Sequence, residues 1–202
     1  TDADNDALTY SWEELDLGDA SLANNPANPP FFRFFPPTTS PSRTFPKWSD
    51  IINNTNTISE ILPNSARTMT FRFTACDNKL GGGGVNYATT TVAVTANGPF
   101  KVTAPDTAVT WAGGSTQAVT WAVASTNVAP VNCANVNILL STDGGLTYPT
   151  TLAANVANNG SVNITAPNLS TTTARVQVAC ANNIFFDISN TNFTINPSAI
   201  CS

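Results

Sequence analysis

Histidine is missing altogether from the 202 residues. That one absence removes the Ser-His-Asp triad, the Cys-His pair and every His-bearing zinc site. Catalysis by carboxylates alone stays open. Charge is also scarce, at 10% Asp, Glu, Lys and Arg against roughly 25% in an average soluble domain. Eight bases against thirteen acids give a net charge of −5, so no basic patch exists to neutralise a phosphate backbone and nucleic-acid binding is not expected. No apolar run has the length of a membrane helix or a signal peptide. If the protein is exported, its targeting segment lies upstream. Runs with apolar residues at 3.6 spacing are absent too, and Gly, Pro and Asn interrupt every long stretch, so no amphipathic helix is expected.

What is present points elsewhere. Hydrophobic residues make up 42% of the chain, enough to build cores despite the low charge, so disorder does not follow. Thr, Asn and Ser cover the surface instead, as suits the solvent face of strands. Alternation with period two recurs throughout. Leu8, Tyr10 and Trp12 mark one strand; Met69, Phe71, Phe73 and Ala75 mark a second; Val92 and Val94 lie in a Thr-rich third. Between Gly18 and Pro63 runs a Pro- and Asn-rich excursion with Phe31, Phe32, Phe34, Phe35, Phe45 and Trp48. Its aromatics are expected to fold it back as a packed flap, because leaving each large side chain in water forfeits roughly 1.5–3 kcal/mol.

Ala96-Asn97-Gly98-Pro99 reads as a boundary. Ten acids and six bases lie in residues 1–97, whereas 98–202 hold only Asp106, Asp143, Asp187, Lys101 and Arg175. From Phe100 onward short strands follow at regular intervals: Phe100/Val102, Val119/Trp121/Val123, Val136/Ile138/Leu140, one near Thr147, Val162/Ile164, Ala174/Val176/Val178, Phe185/Ile188 and Phe193/Ile195. The pattern predicts an all-β chain of two tandem antiparallel β-sandwiches, 1–97 and 98–202, the second with an immunoglobulin- or fibronectin-III-like seven-strand count.

Cys76, Cys133, Cys180 and Cys201 match no zinc spacing. If the Val136 strand pairs antiparallel with the Val176 strand, the start of one lies beside the end of the other and Cys133 approaches Cys180. A disulfide is expected there. Cys76 and Cys201 are left over, and such bridges are compatible with an oxidising, extracellular compartment.

The segment Thr1-Asp2-Ala3-Asp4-Asn5-Asp6-Ala7-Leu8-Thr9-Tyr10-Ser11-Trp12-Glu13 resembles the Asp-rich turn and Tyr-x-Trp strand of PKD-like and cadherin-like bacterial surface modules. Ser40–Pro46, Arg67–Phe73, Asp77-Asn78 before the glycine run, Ala129–Gly145 and Asn183–Asn190 extend the likeness over nearly the whole chain. Together these segments resemble the region C-terminal to the catalytic domain in secreted reprolysin-like zinc metallopeptidases of Bacteroidetes-type bacteria. That resemblance implies a secreted or cell-surface location, and a non-catalytic spacer, stabiliser or substrate-contact role beside an upstream catalytic domain of the same polypeptide. None of that family's zinc ligands carries over, since no His-Glu-x-x-His segment is present. Its Tyr-Cys-Trp reads Tyr10-Ser11-Trp12 here, and one or two opening strands of the first sandwich are expected to be missing.

Four features are candidates for sites. Asp2, Asp4 and Asp6 alternate in a turn and, with Asp77, could hold a structural Ca²⁺. The competing reading is a solvated turn whose Asp side chains bond their own backbone. No other cofactor is called for. Phe31, Phe32, Phe34 and Phe35 are the candidate interface for protein or polysaccharide, since neighbours on one strand cannot all point inward; burial against a neighbouring domain is the alternative. Ser141-Thr142-Asp143-Gly144-Gly145-Leu146-Thr147-Tyr148 matches the Asp-box pattern of sialidase propellers, but a single copy reads as a hairpin device. Gly81–Gly84 reads as a flexible hairpin loop, not a phosphate cradle. Trp12, Trp48, Trp111 and Trp121 read as core residues, and Asp187 as half-buried and structural. A carbohydrate-binding or adhesin-type module is the second functional reading, and a hydrolase using Asp77 with Asp2 a third.

Overall fold

The computed structural model describes residues 5–18, 27 and 30–198. It is almost entirely β and divides into two compact units, Thr1–Ile51 with Thr55–Ala96 and Ile52–Asn54 with Asn97–Ser202.

The first unit has one sheet of three strands among the described residues, not the expected two-sheet sandwich. Strand β1 spans Leu8–Glu14, β2 Arg67–Asp77 and β3 Val85–Val94, all antiparallel in the order β1-β2-β3. Register places Trp12 opposite Phe73 and Glu14 opposite Phe71, so Tyr10, Trp12, Phe71 and Phe73 share one face by the pleat. The excursion after β1 takes the place of a second sheet. Phe31 and Phe32 pack with Met69 and Phe71 as the unit's core, flanked by Trp12, Phe45, Ile61, Val92 and Val94. The flap also contains a six-residue α-helix, α1, Trp48–Asn53. Periodicity could not show it, because six residues carry less than two turns of pattern.

The second unit is a β-sandwich. Its strands are β4 Lys101–Ala104, β5 Thr110–Ala112, β6 Thr116–Ala122, β7 Asn135–Ser141, β8 Thr150–Ala157, β9 Ser161–Thr165, β10 Thr171–Cys180, β11 Phe186–Ile188 and β12 Phe193–Asn196. One sheet runs β5-β12-β10-β7-β8 with β11 also on β10; the other runs β4-β6-β9. A single hydrophobic cluster joins the two, with Val102, Val119, Trp121 and Ile164 from the smaller sheet meeting Val136, Ile138, Leu140, Val176 and Val178 from the larger. Three details depart from expectation. Among the described residues the strands number nine rather than seven. β6 stops at Ala122, short of Val123. β5 pairs parallel with β12, Trp111 opposite Ile195, so the unit is not wholly antiparallel.

The predicted pairing of β7 with β10 is present, with Leu140 opposite Val176 and Val136 opposite Cys180. The Cys133–Cys180 disulfide follows from it, with Cα atoms 6.0 Å apart. Beside it, buried Asn158 accepts from Trp121 Nε1 at 2.7 Å and donates to the Cys133 carbonyl at 2.9 Å and to Thr126 Oγ1 at 3.2 Å. A buried amide with every group partnered costs little and fixes its neighbours.

The bridge closes a span of 47 residues, for which the loop-entropy estimate is about 4 kcal/mol, with measured cases nearer 2–4. Reduction, or the double change Cys133→Ala/Cys180→Ala, should therefore lower the chemical-denaturation stability of the second unit by about 2–4 kcal/mol. A midpoint unmoved by reductant would show that the bridge constrains nothing.

Candidate functional site

The flap is held by carboxylates. Glu14, at the end of β1, accepts from the backbone N–H groups of both Phe31 and Phe32 through Oε2, each at 2.8 Å. Two successive amides aimed at one oxygen require a bent backbone rather than a strand, and this lets both rings turn inward. Phe31 is 0% and Phe32 4% exposed. Both are thereby withdrawn from the expected interface. Phe34 alone of the four projects into solvent, at 51% exposure, while Phe35 is half-buried against Arg43, whose guanidinium lies 4.4 Å above its ring and 4.3 Å from that of Phe45.

Arg43 donates to the Trp12 carbonyl at 3.0 Å and to Glu60 Oε1 at 2.6 Å. Glu60 is fully buried, and its other oxygen accepts from the Lys47 amide at 2.8 Å. Burial pushes the carboxyls of Glu14 and Glu60 above their ordinary values, against the pull of the amides and guanidinium that they face. Asp50, on α1, closes the following turn by accepting from the Thr57 amide and the Thr55 and Thr57 hydroxyls. Burial alone would raise its carboxyl; these bonds and Lys47 hold it below the usual range.

Between β1 and the flap lies a groove of ≈ 240 Å³ with Tyr10, Trp12, Phe35 and Arg43 in its walls. Tyr10 and Trp12 both rest on Phe73, with ring centroids 5.5 and 4.9 Å away. The indole N–H of Trp12 is engaged by the Pro41 carbonyl at 2.9 Å. What the groove offers a ligand is therefore ring surface more than hydrogen-bond donors.

The acidic turn is divided. Asp2 and Asp4 lie outside the described residues. Asp6 pairs with Lys79 at 3.4 Å. Asp77 accepts the Lys79 amide through Oδ1 at 2.7 Å and the Gly84 amide through Oδ2 at 3.2 Å, closing the glycine loop. That is the bonding of a turn-forming Asp. It also engages the carboxylate that the hydrolase reading would assign to catalysis. Among the described residues no group of three or more His, Cys, Asp or Glu could hold a metal ion. Cys76 is a free, half-buried thiol, and Cys201 lies outside the described residues.

The Asp-box segment is a turn device. Asp143 Oδ1 accepts from the Ser141 hydroxyl at 2.6 Å and the Thr147 amide at 3.0 Å, and Oδ2 from the Thr147 hydroxyl at 2.6 Å. Ser141, Thr147 and the amides hold its carboxyl far below the usual range. Gly144 and Gly145 take positive φ of 79° and 93° there. Trp111 and Trp121 are core residues at 4% and 3% exposure, while Trp12 and Trp48 are half-buried. Asp187 is half-buried and accepts from the Val102 amide at 2.7 Å, linking β11 to β4. Sequence reasoning named Asp143, Asp187 and Cys133–Cys180 but passed over Glu14, Arg43, Glu60 and Asp50. Isolated charges inside an aromatic-rich stretch of a charge-poor chain were the available signal.

No family model matches the chain, and no curated protein matches it. Among solved structures, a chimeric titin Z1Z2-Z1Z2 tandem functionalized with a GRGDS exogenous peptide from fibronectin is similar over 70% of this chain and 69% of that one, at 14% identity and a TM-score of 0.30. A likeness of that size carries no argument about fold or function.

Replacing Glu60 by Gln keeps the shape and leaves the Arg43 charge without its counterion. Breaking a buried pair from one side costs about 3–5 kcal/mol, and urea titration of E60Q should show a loss of that order. The double variant E60Q/R43M should recover most of it, since it removes the stranded charge. An E60Q midpoint equal to the parent's would mean that the flap does not hang on this pair.

Burial pushes the Asp187 carboxyl up to about 6, against the bonds from the Val102 and Ile188 amides. A folded value above the unfolded one, about 4, means that the folded form holds the proton more tightly. This contribution to stability is complete below about pH 4 and lost as pH rises through about 6. Carboxyl-detected NMR should give a midpoint near 6 for Asp187, and D187N should flatten the decline in stability over that window. An ordinary carboxylate midpoint would overturn the assignment.

Proposed function

We propose that this chain is a non-catalytic accessory region of a secreted protein, and that its catalytic partner is an upstream reprolysin-like zinc metallopeptidase domain of the same polypeptide. In this reading the second unit is an immunoglobulin- or fibronectin-III-like sandwich and the first a PKD- or cadherin-like module with an aromatic flap. The observation that carries the reading is the employment of the acids. With no histidine in the sequence, carboxylates are the most numerous acid–base groups left, and each of the ten described ones bonds the fold. Asp6 and Glu13 pair with Lys79 and Arg72. Glu60 holds Arg43, and Glu14, Asp16, Asp50, Asp77, Asp106, Asp143 and Asp187 accept backbone amides. Each of these contacts has a structural use, which supports the non-catalytic reading. The Cys133–Cys180 bridge fits an oxidising, extracellular compartment, and no described helix is long and apolar enough to cross a membrane.

The second reading, a carbohydrate-binding or adhesin-type module, is favoured by the half-exposed Phe34 and by the ring-walled groove at Tyr10, Trp12 and Phe35. Stacking on sugar faces uses such surface. Any calcium bound near Asp2, Asp4, Asp6 and Asp77 would serve as a structural ion in either reading.

Two measurements separate these possibilities. The purified 202-residue chain should turn over neither protein nor polysaccharide; hydrolysis at an ordinary enzymatic rate sinks the non-catalytic reading. The coding sequence upstream of Thr1 should contain a His-Glu-x-x-His segment. If it does not, and pull-down on insoluble polysaccharide weakens roughly tenfold in Tyr10→Ala/Phe34→Ala, as loss of a stacking contact predicts, the binding-module reading takes over.

A further inference from the structure

The first unit's sheet has two edges that differ in kind. The β1 edge is occupied, because Tyr10 exchanges backbone bonds with Thr38 of the flap at 2.7 and 2.9 Å. Among the described residues the β3 edge carries no further strand. It is ten residues long, Val85-Asn86-Tyr87-Ala88-Thr89-Thr90-Thr91-Val92-Ala93-Val94, and exposed over its first seven. It contains none of the devices that ordinarily guard such an edge: no Lys, no other charge, no Pro. Its register with β2 is unbroken from Arg67–Val94 to Cys76–Val85, so no bulge twists it away.

The hydrogen-bond phase of that edge can be read off. The Asp77 amide donates to the Gly84 carbonyl at 2.9 Å. In an antiparallel ladder bonded pairs alternate with non-bonded ones, so Asn86, Ala88, Thr90, Val92 and Val94 turn their backbone groups toward β2. Val85, Tyr87, Thr89, Thr91 and Ala93 turn theirs outward.

We infer that β3 is a self-association edge, at which a second copy of this chain adds its own β3 antiparallel about a two-fold axis at Thr89. In this register every outward residue meets an outward residue: Val85 faces Ala93 of the second copy, Tyr87 faces Thr91, and Thr89 faces itself. Displacing the register by a pair leaves outward N–H and C=O groups at the ends without partners. The side chains agree with the backbone. No charge stands opposite any other, Thr–Thr and aromatic–β-branched pairs are favourable cross-strand neighbours, and Tyr87 is steadied by Arg72 at 5.7 Å from its ring. Two three-stranded sheets then become one of six. The reversed direction sets the flap-covered end of each sheet, at Val92 and Val94, beside the uncovered end of the other. Since the flap closes the β1 edge, the association is isologous and stops at two rather than growing into a fibre.

The test is the oligomeric state of the full chain by sedimentation velocity over a range of concentrations, with cross-linking as its geometric check. Wild type should convert from chain mass to twice chain mass. Thr89→Lys sets two ammonium groups opposite each other across the axis and should abolish the heavier species, while Thr89→Pro should do so by deleting an outward N–H that β2 does not use. Circular dichroism and unfolding midpoints of both variants should stay near those of the parent, which separates lost association from lost folding. With Cys76 and Cys201 replaced by Ser, Thr89→Cys should oxidise to a covalent dimer, because residues facing each other in a bonded antiparallel pair lie about 5.5 Å apart, within disulfide range. Thr90→Cys, opposite Ala88 rather than itself, should not. A wild type that stays at chain mass at every concentration overturns the inference. So does a dimer that Thr89→Lys leaves intact, or cross-linking at position 90 in preference to 89. These outcomes do not depend on whether the chain accompanies a peptidase.

Discussion

The first unit depends on a buried carboxylate. A sheet with one apolar face gains stability by burying that face against another layer, and its cover here is an irregular segment instead of a second sheet. Irregular segments leave backbone amides without ladder partners, and each one buried unpaired costs about 1–3 kcal/mol. Glu60 answers that demand at the Lys47 amide, Glu14 at Phe31 and Phe32, and Asp50 at Thr57. Arg43 in turn balances Glu60 and sits between the Phe35 and Phe45 rings. Carboxylate, guanidinium and aromatic rings make one arrangement: the carboxylates fix the backbone, the fixed backbone turns the rings inward, and the rings exclude water from the ion pair. Each part would be costly without the others.

This explains what could and could not be read from the sequence. The β7–β10 pairing was legible because both strands alternate cleanly, and antiparallel register converts alternation into neighbours, which brings Cys133 beside Cys180. The Asp143 turn was legible because its chemistry is local. The two Phe residues were not. The rule that adjacent side chains point to opposite faces holds for strands, and Phe31-Phe32 is bent by a carboxylate seventeen residues away in sequence. Helix α1 was hidden by its shortness, and the parallel β5–β12 pair by the three-residue length of β5, too brief for any period to show. The expected second sheet of the first unit failed for a related reason: an aromatic-rich stretch was correctly read as packing material, yet packing material can replace a sheet.

The two units answer low charge differently. In the second, the core lies between two sheets, and its polar groups are neutral or locally bonded: Asn158, Ser141 and Ser189 each have partners. Its stability is therefore mostly apolar burial plus a cross-link, with pH entering through Asp187 as it rises and through Asp143 as it falls. The first unit keeps most of the acids and bases in 1–97 and buries two of them, Asp50 and Glu60. Charges employed in the interior do not repel neighbouring molecules at the surface.

That last point bears on β3. Soluble β-proteins usually keep edges apart with charge, and this chain has little to give. Ten uncharged residues with Thr on both faces make an edge that is polar enough to stay in solution and bare enough to pair. The flap decides the consequence. By meeting the β1 edge at Tyr10 and Thr38, it leaves β3 as the open edge of this sheet among the described residues, and a self-complementary edge closes on itself. The same segment that supplies the missing half of the core thus limits how far the sheet can extend.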